Sequence, residues 1–185
     1  MNSNHNIIYV GRFDRNKNVL RLMEAVLSLV GDFADIRLHL VGGAGEQEAQ
    51  VKGMAAQHPT HFVMHGPIYD KDRLRELYNR CALFVMVSHS ETFGLVYVEA
   101  MSQNLPVVYT KGQAIDGLFD GSVGEGVVST STASIADGIR RILTHPEDYA
   151  PAGTVDFARF DWNTIAAKYM EMYNETARQT NTHNG

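Results

Sequence analysis

Short apolar runs that are rich in β-branched residues alternate along this chain with longer segments of helical periodicity. That alternation is typical of a parallel β-sheet with helices on both faces, because each parallel strand needs a crossover connection to reach the next. The predicted strands are Ile7–Val10, Ile36–Val41, His61–Met64, Leu83–Val87, Pro106–Tyr109 and Gly126–Val128. We therefore expect an α/β fold, a doubly wound parallel sheet of about six strands.

Apolar residues at helical spacing fill the segments between these strands, and we expect them to face the core. They are Val19, Met23, Val26 and Val30, then Leu74, Leu77, Tyr78 and Cys81, and then Ile135, Ile139, Ile142 and Leu143. A last helix is predicted to begin at the N-cap Asp161 and to carry Trp162, Ile165, Tyr169, Met172 and Tyr173 on one side. The glycine-rich segment 112–126 is the least regular, and its pattern fits a surface connection or a binding loop.

Composition excludes several classes of protein. Of the 185 residues, 44% are hydrophobic and 20% are charged, which excludes a disordered chain. The net charge of −5 excludes a generally basic nucleic-acid binder, so any phosphate has to be held locally. A single cysteine, Cys81, rules out an internal disulfide and indicates a reducing, cytoplasmic compartment. We expect one domain over residues 7–178, between polar tails at 1–6 and 179–185.

Charged residues follow two strands that a doubly wound sheet of order 3-2-1-4-5-6 places side by side. Arg12 and Lys17 come after the first strand, and Glu91, Gly94 and Glu99 come after the fourth. Ligands of such sheets bind outside the carboxyl ends of these two strands, where the loops diverge to opposite faces. Two cations and two carboxylates are therefore predicted to face one crevice.

Each of these groups also has a purely structural interpretation. An arginine and a lysine near a helix N-terminus suit a diphosphate, but two solvated surface cations fit the same letters. The turn around Gly94 offers free amides to an oxygen ligand, or caps a helix whose dipole Glu91 complements. Glu99 lies in the apolar stretch VYVEAM, where a carboxylate is expected to be partnered or functional, the alternative being a partly exposed position.

Several segments together resemble the donor-binding C-terminal domain of retaining GT-B glycosyltransferases of the group 1, or family 4, type. They are GRFDRNKNVLRLMEAV, LVGGAGE, HGPI, SHSETFGLVYVEAMSQNLPVVYT and FDWNTIAAKY, and they extend from Ile7 to about Tyr173. The most specific element is E-x7-E, combined with G-R-x4-K after the first strand. The resemblance implies a Rossmann-like domain, one half of a GT-B fold, that binds a nucleotide-diphosphate sugar.

The resemblance also implies a role for each matching residue. Arg12 and Lys17 would grip the donor diphosphate and stabilise its charge as the sugar leaves. Glu91 would lie beside the donor sugar, and Glu99 would accept hydrogen bonds from the ribose hydroxyls. The remaining implied donor-binding positions are Gly11, the backbone at Pro67 and Ile68 beside the base, and the amides of Phe93, Gly94 and Leu95. No metal or other cofactor is implied, because the cations would do the work of a metal.

The chain departs from the family pattern in three positions and in length. Asn18 stands where a glycine usually follows the lysine, Val87 where a proline usually precedes the serine, and Thr92 where a glycine usually follows the first glutamate. The acceptor-binding N-terminal domain that is usual in the family is missing from these 185 residues. We therefore expect a fragment or a stand-alone half, with any peripheral membrane association made only through the missing domain.

Other patterns carry less weight. His58, His61 and His65 lie close in sequence, but their directions alternate and no metal site is expected. The segment Val41–Gly45 lacks the Lys and Ser/Thr of a P-loop and is interpreted as a turn that lines the nucleotide end of the site. Two further functions stay open: a sugar-nucleotide epimerase of the same fold, and a non-enzymatic nucleotide-binding or interaction module.

Overall fold

The computed structural model describes residues 4–92, 94–119 and 121–157. Within these residues, six strands alternate with helices, as the sequence pattern predicts. The strands are β1 (Asn6–Arg12), β2 (Arg37–Gly43), β3 (Phe62–Gly66), β4 (Leu83–Val85), β5 (Val107–Thr110) and β6 (Gly124–Val127). The helices are α1 (Val19–Ser28), α2 (Glu48–Gln57), α3 (Lys71–Tyr78), α4 (Leu95–Ser102), α5 (Thr132–Thr144) and α6 (Pro151–Thr154). Short 3₁₀ turns cover Arg15–Lys17, Gly121–Val123 and Pro146–Asp148.

All neighbouring strands are parallel, and their order in the sheet is β3-β2-β1-β4-β5-β6. Right-handed crossovers put α1 and α2 on one face of this sheet and α3 and α4 on the other. The packing agrees, because α1 contacts α2 and α5, whereas α3 and α4 line a common cavity. The predicted doubly wound sheet and its strand order are confirmed. The switch point, where successive crossovers change direction, lies between β1 and β4.

Burial on both faces of the sheet explains why its central strands read as unbroken apolar runs. Ile7, Ile8 and Tyr9 of β1 have no exposed surface, and neither has any residue of β4. In α1, Met23 and Val26 are fully buried, as their helical spacing predicts. Three members of the predicted helical stripes are only partly buried, namely Val30, Leu74 and Leu143.

Several predicted strand boundaries are wrong. β1 begins at Asn6 and continues to Arg12, because its pairing with β2 extends until Arg12 lies opposite Gly43. The glycine segment predicted as a turn is therefore, in its first part, the end of β2. β4 ends early, at Val85, and β6 begins at Gly124, inside the segment predicted to be irregular.

The first described residues pack against the domain that the sequence pattern predicts to begin at Ile7. Nδ1 of His5 lies 2.6 Å from Oδ1 of Asp35, and the His5 ring lies 4.7 Å from the ring of Phe33. The chain divides into two compact units, Met1–Val155 and Asp156–Gly185. The helix predicted from Asp161 and the tail predicted at 179–185 lie outside the described residues. Among the helices of residues 4–157 that are described, none has both the length and the apolar character to cross a membrane.

Candidate functional site

Asn16 ties the loop after β1 to the loop after β4. Its side-chain Nδ2 donates to the carbonyl of Ser90 at 2.8 Å, and its Oδ1 accepts from the Ser90 amide at 2.9 Å. Its own carbonyl accepts from the amide of His89 at 2.8 Å. The two loops that carry the predicted charged residues are therefore held against each other at the switch point. Sequence reasoning missed Asn16, because a single asparagine in a loop has no distinguishing pattern.

Lys17 and Glu91 form an ion pair across this junction. Nζ of Lys17 lies 2.6 Å from Oε2 of Glu91, and the two side chains are 23% and 16% exposed. The backbone of Lys17 is fixed by Asp14, whose Oδ1 accepts from the Lys17 amide at 3.0 Å. A charge-assisted bond in such partly buried surroundings is stronger than an ion pair on the open surface. The predicted switch-point crevice thus brings one predicted cation and the first glutamate into contact.

The irregular segment 112–126 reaches the same junction. The amide of Glu91 donates to Oε1 of Gln113 at 3.2 Å, and the amide of Ala114 donates to the carbonyl of Glu91 at 3.1 Å. The backbone of Glu91 is therefore held on both sides. Of the two interpretations that the sequence leaves open for this segment, these contacts favour a loop that shapes the site. Gln113 is a second residue that sequence reasoning missed.

A cleft of about 590 Å³ opens at the carboxyl ends of β1, β2 and β3. Its lining includes four predicted donor-binding residues and four others: Gly11, Arg12, Pro67 and Ile68, with Gly42, Gly43, Glu48 and Tyr69. Gly42 has a φ of +128°, and a Cβ there would lie 1.9 Å from the carbonyl oxygen of Gly11. Without side chains at Gly42 and Gly43, the floor of the cleft is bare backbone. The glycine segment thus lines this cleft, and its place at the nucleotide end of the site stays a prediction.

Arg12 lies at the rim of the cleft with its side chain 68% exposed, and its Nε is 3.7 Å from Oδ2 of Asp14. The Arg12 carbonyl accepts a hydrogen bond of 2.6 Å from the hydroxyl of Tyr9. Burial raises the pKa of Tyr9 well above its usual value, so that the hydroxyl stays protonated and donates. The backbone at the end of β1 is therefore fixed, while the guanidinium is exposed at the rim of the cleft beside Asp14.

α4 begins at the glycine that the motif predicts. Gly94 is its N-cap with a φ of +65°, and a Cβ there would lie 2.6 Å from the ring of Tyr97. The amide of Tyr97 donates to the Gly94 carbonyl at 2.9 Å, whereas the two amides before it, those of Leu95 and Val96, lie at positions where a helix offers no acceptor, so they are open to an oxygen ligand. Phe93, predicted to bind with them, lies outside the described residues.

Glu99 lies on the exposed side of α4 and lines a different cavity. Leu95, Glu99 and Ser102 are spaced as i, i+4 and i+7 and share this side, whereas the residues flanking Glu99 are buried. The cavity of about 220 Å³ between α3 and α4 is lined by Glu99 with Lys71, Leu74, Arg75, Tyr78, Ser102 and Gln103. Glu99 is therefore exposed, which is the alternative that the sequence left open for it. Its role at a ribose stays a prediction.

His58, His61 and His65 turn to separate partners. Nδ1 of His61 lies 2.9 Å from the carbonyl of Ile36, and Nε2 of His65 lies 2.9 Å from Nδ1 of His39. The His58 ring lies edge-on to an aromatic neighbour. Within the described part of the chain, no group of three or more His, Cys, Asp or Glu side chains is placed to hold a metal ion.

The family model for glycosyl transferases group 1 matches residues 2–154 of the chain. The chain belongs to this glycosyltransferase family. Phosphatidyl-myo-inositol mannosyltransferase of Mycobacterium leprae is 28% identical over 176 residues, which cover 92% of this chain and 46% of that protein. The chain spans about half the length of the curated relatives it matches.

Solved structures of glycosyltransferases share the fold of this group 1 chain. HepE of Anabaena in complex with UDP-glucose superposes with a TM-score of 0.78 at 22% identity, covering 93% of this chain and 49% of that one. The C-terminal domain of LpcC, a glycosyl transferase group 1 family protein from Francisella tularensis, has a TM-score of 0.70 at 24% identity, and the match covers 80% of each chain. The resemblance to the C-terminal half of a GT-B enzyme is confirmed.

Asn18 accounts for one departure of this chain from the pattern of its family. It has a φ of +58°, in the left-handed region that glycine and asparagine adopt most readily. Its buried Nδ2 donates to the carbonyl of Val87 at 3.1 Å and to that of Ser129 at 2.8 Å. Asparagine therefore keeps the backbone conformation that a glycine would take and adds a link to the segments after β4 and β6.

Proposed function

We propose that this chain binds a nucleotide-diphosphate sugar as the donor half of a retaining glycosyltransferase. The observation that carries the proposal is the contact of Lys17 with Glu91 at the switch point, with the exposed guanidinium of Arg12 at the rim of the cleft after the same strand. Cations suit a diphosphate, and a carboxylate suits sugar hydroxyls. A donor sugar nucleotide needs both chemistries within one small site.

The bare backbone of the cleft supports a place for the nucleotide. The base is proposed to lie beside Pro67 and Ile68, and the phosphates beside Arg12 and the open end of α4. HepE, which has the same fold, holds UDP-glucose in its solved structure. Uridine donors are therefore the first to test, although nothing in the lining selects one base.

In the proposed reaction an acceptor hydroxyl attacks the anomeric carbon while the bond from that carbon to the diphosphate oxygen breaks. The new glycosidic bond keeps the original anomeric configuration. The diphosphate leaves toward Arg12 and Lys17, whose fixed positive charges stabilise the negative charge that develops. The departing oxygen takes the acceptor proton. Glu91 holds the sugar hydroxyls, and Glu99 holds the ribose.

The acceptor site belongs, in this proposal, to a second half outside these 185 residues. The relatives that it matches are about twice as long, which supports a two-part enzyme. The donor half by itself is expected to bind a sugar nucleotide weakly and to transfer nothing efficiently.

Calorimetric titration with UDP, GDP and ADP, and with their sugar conjugates, tests donor binding. One nucleotide should bind, and Arg12→Ala should weaken it roughly ten- to a hundredfold, because a charge-assisted hydrogen bond is lost. Glu99→Ala should weaken the same nucleotide through the ribose. Arg15→Ala is the matched control, since Arg15 is a nearby cation that lines a different cavity. A folded chain that binds none of these nucleotides would contradict the proposal.

Turnover tests the mechanism once the chain is joined to an acceptor-binding half. Proton NMR of the first product should show the anomeric configuration of the donor. Lys17→Ala should abolish transfer, because the leaving diphosphate loses a cation. Wild-type turnover in Lys17→Ala would refute the assigned role.

A further inference from the structure

Lys17 and Glu91 are hydrogen-bond and charge partners of each other in the structure, although the proposed function needs both side chains to contact the donor. Their 2.6 Å contact is a full hydrogen bond, and neither side chain is more than a quarter exposed. A phosphate oxygen that approaches Lys17 therefore meets an ammonium group that already has a carboxylate partner. Binding of any diphosphate at Lys17 has to displace or share that partner.

We propose that this ion pair makes the site specific for sugar-bearing nucleotides over bare nucleoside diphosphates, through an exchange of partners; the inference rests on the proposed function. A sugar nucleotide offers phosphate oxygens to Lys17 and hydroxyl donors to Glu91, so both groups regain a partner. A bare nucleoside diphosphate offers oxygens to Lys17 but no sugar hydroxyl to Glu91. A part-buried carboxylate that loses its partner is costly, so the bare nucleotide binds weakly.

The backbone contacts keep Glu91 from leaving the site when its partner is taken. Its amide and carbonyl are bonded to Gln113 and Ala114, and the preceding residue, Ser90, is bonded twice to Asn16. Only rotation of the side chain remains, and the carboxylate stays within the crevice. The exchange therefore has the same cost for every diphosphate, and only a sugar offsets it.

Product release follows from the same exchange. When the sugar has moved to the acceptor, the remaining nucleoside diphosphate no longer offers hydroxyls to Glu91. The carboxylate returns to Lys17 and competes with the phosphate oxygens for the ammonium group. The product is thereby bound more weakly than the donor that delivered it.

Glu91→Gln tests the exchange, because glutamine keeps the shape of the side chain but gives up the charge that holds Lys17. In titrations with UDP, GDP, ADP and inorganic pyrophosphate, it should bind the preferred bare diphosphate roughly tenfold more tightly than the wild type. Its preference for the sugar conjugate should shrink by at least as much. Glu91→Ala gives the same comparison if the glutamine variant does not fold.

Glu125→Gln is the matched control for a general change of charge. Glu125, in β6, is part-buried like Glu91 and pairs with Arg141 at 3.2 Å, but it does not line the cleft, so its substitution removes one negative charge without freeing Lys17. It should change the affinity for bare diphosphates by less than about twofold. An equal gain in Glu125→Gln and Glu91→Gln would overturn the exchange.

The double variant Lys17→Met with Glu91→Gln completes the test. Without an ammonium group to release, Glu91→Gln should give no more gain than Glu125→Gln, and a tenfold gain in this background would overturn the exchange. If the wild type binds a sugar nucleotide but Glu91→Gln does not tighten its bare diphosphate, the exchange fails and the proposed function stands. If neither the wild type nor Glu91→Gln binds any nucleotide, both are refuted.

Discussion

Gly42→Ala should both destabilise the chain and close the cleft. Gly42 pairs with Gly11 between β2 and β1, at a φ of +128° that side-chain-bearing residues rarely adopt. A Cβ there would lie 1.9 Å from the Gly11 carbonyl oxygen and 2.9 Å from its carbonyl carbon. Backbone cannot rotate aside as a flexible side chain does. The new methyl group therefore has to push apart the two strands that form the floor of the cleft.

Two costs add at this position. Holding alanine at such a φ costs about 1–3 kcal/mol, and forcing a methyl group into a packed strand pair costs about 1–3 kcal/mol more. We expect the free energy of unfolding to fall by about 2–6 kcal/mol in total. Gly53→Ala is the control, because Gly53 lies on the exposed side of α2, where a Cβ would have nothing within 4 Å of it. That substitution should raise the free energy of unfolding by about 0.5–1 kcal/mol.

Urea unfolding followed by circular dichroism measures both variants, and titration with the nucleotide that the wild type prefers measures the cleft. The free energy of unfolding should fall in Gly42→Ala and rise in Gly53→Ala, and nucleotide binding should be lost only in Gly42→Ala. If Gly42→Ala unfolds within about 1 kcal/mol of the wild type, the strain is absorbed without cost and the reasoning is wrong.

Two further predictions concern stability. Asn18→Gly should keep the left-handed backbone but lose two buried hydrogen bonds, which lowers the free energy of unfolding by about 2–3 kcal/mol. Asn18→Ala should lower it by about 1 kcal/mol more, because alanine adopts the left-handed conformation less readily. Equal free energies for the two variants in urea unfolding would contradict this order. Burial lowers the pKa of His39 from its usual value to about 4, and the charges of His65 and Arg37 add to this shift. As the pH falls from about 6.5 towards 4, the unfolded chain therefore binds a proton at this residue that the folded chain does not bind. The free energy of unfolding should therefore keep its full value above pH 6.5 and fall by about 1 kcal/mol between pH 7 and pH 5. That figure is half of what the pKa difference alone would give, because the ring is only half buried. In urea titrations at the two pH values, His39→Gln should abolish this part of the loss.

The sheet could be predicted from sequence because its physical cause is local. Strands that are buried on both faces form uninterrupted apolar runs, so the sequence alone shows strands at Ile7 to Val10 and at Leu83 to Val85. Strand ends could not be predicted as well, because they depend on pairing. β2 continues through Gly43 only because β1 lies beside it, and nothing in two glycines indicates a strand.

The candidate site could also be predicted only in part. Lys17 and Glu91 are charged residues after strands 1 and 4, and the order of the strands places them together. Asn16 and Gln113 could not be predicted, since a polar loop residue shows its role only through its partners. For Glu99 the sequence left an exposed position open, and only the structure shows that the apolar residues beside it, Val98 and Ala100, belong to the buried side of α4.

The bonds of Asn16 also have a consequence for protein engineering. Asn16 and the two residues after it join the loops after β1 and β4, because Lys17 pairs with Glu91 and Asn18 donates to the carbonyl of Val87 beside the bonds of Asn16. Grafting either loop alone into a related enzyme would break these hydrogen bonds and misalign the ion pair of Lys17 with Glu91. Residues 11–18 and 88–92 therefore have to be transplanted together as one cassette. A chimera cut between the two halves of such an enzyme, by contrast, leaves the cassette intact, and the choice of donor should travel with it to a new acceptor.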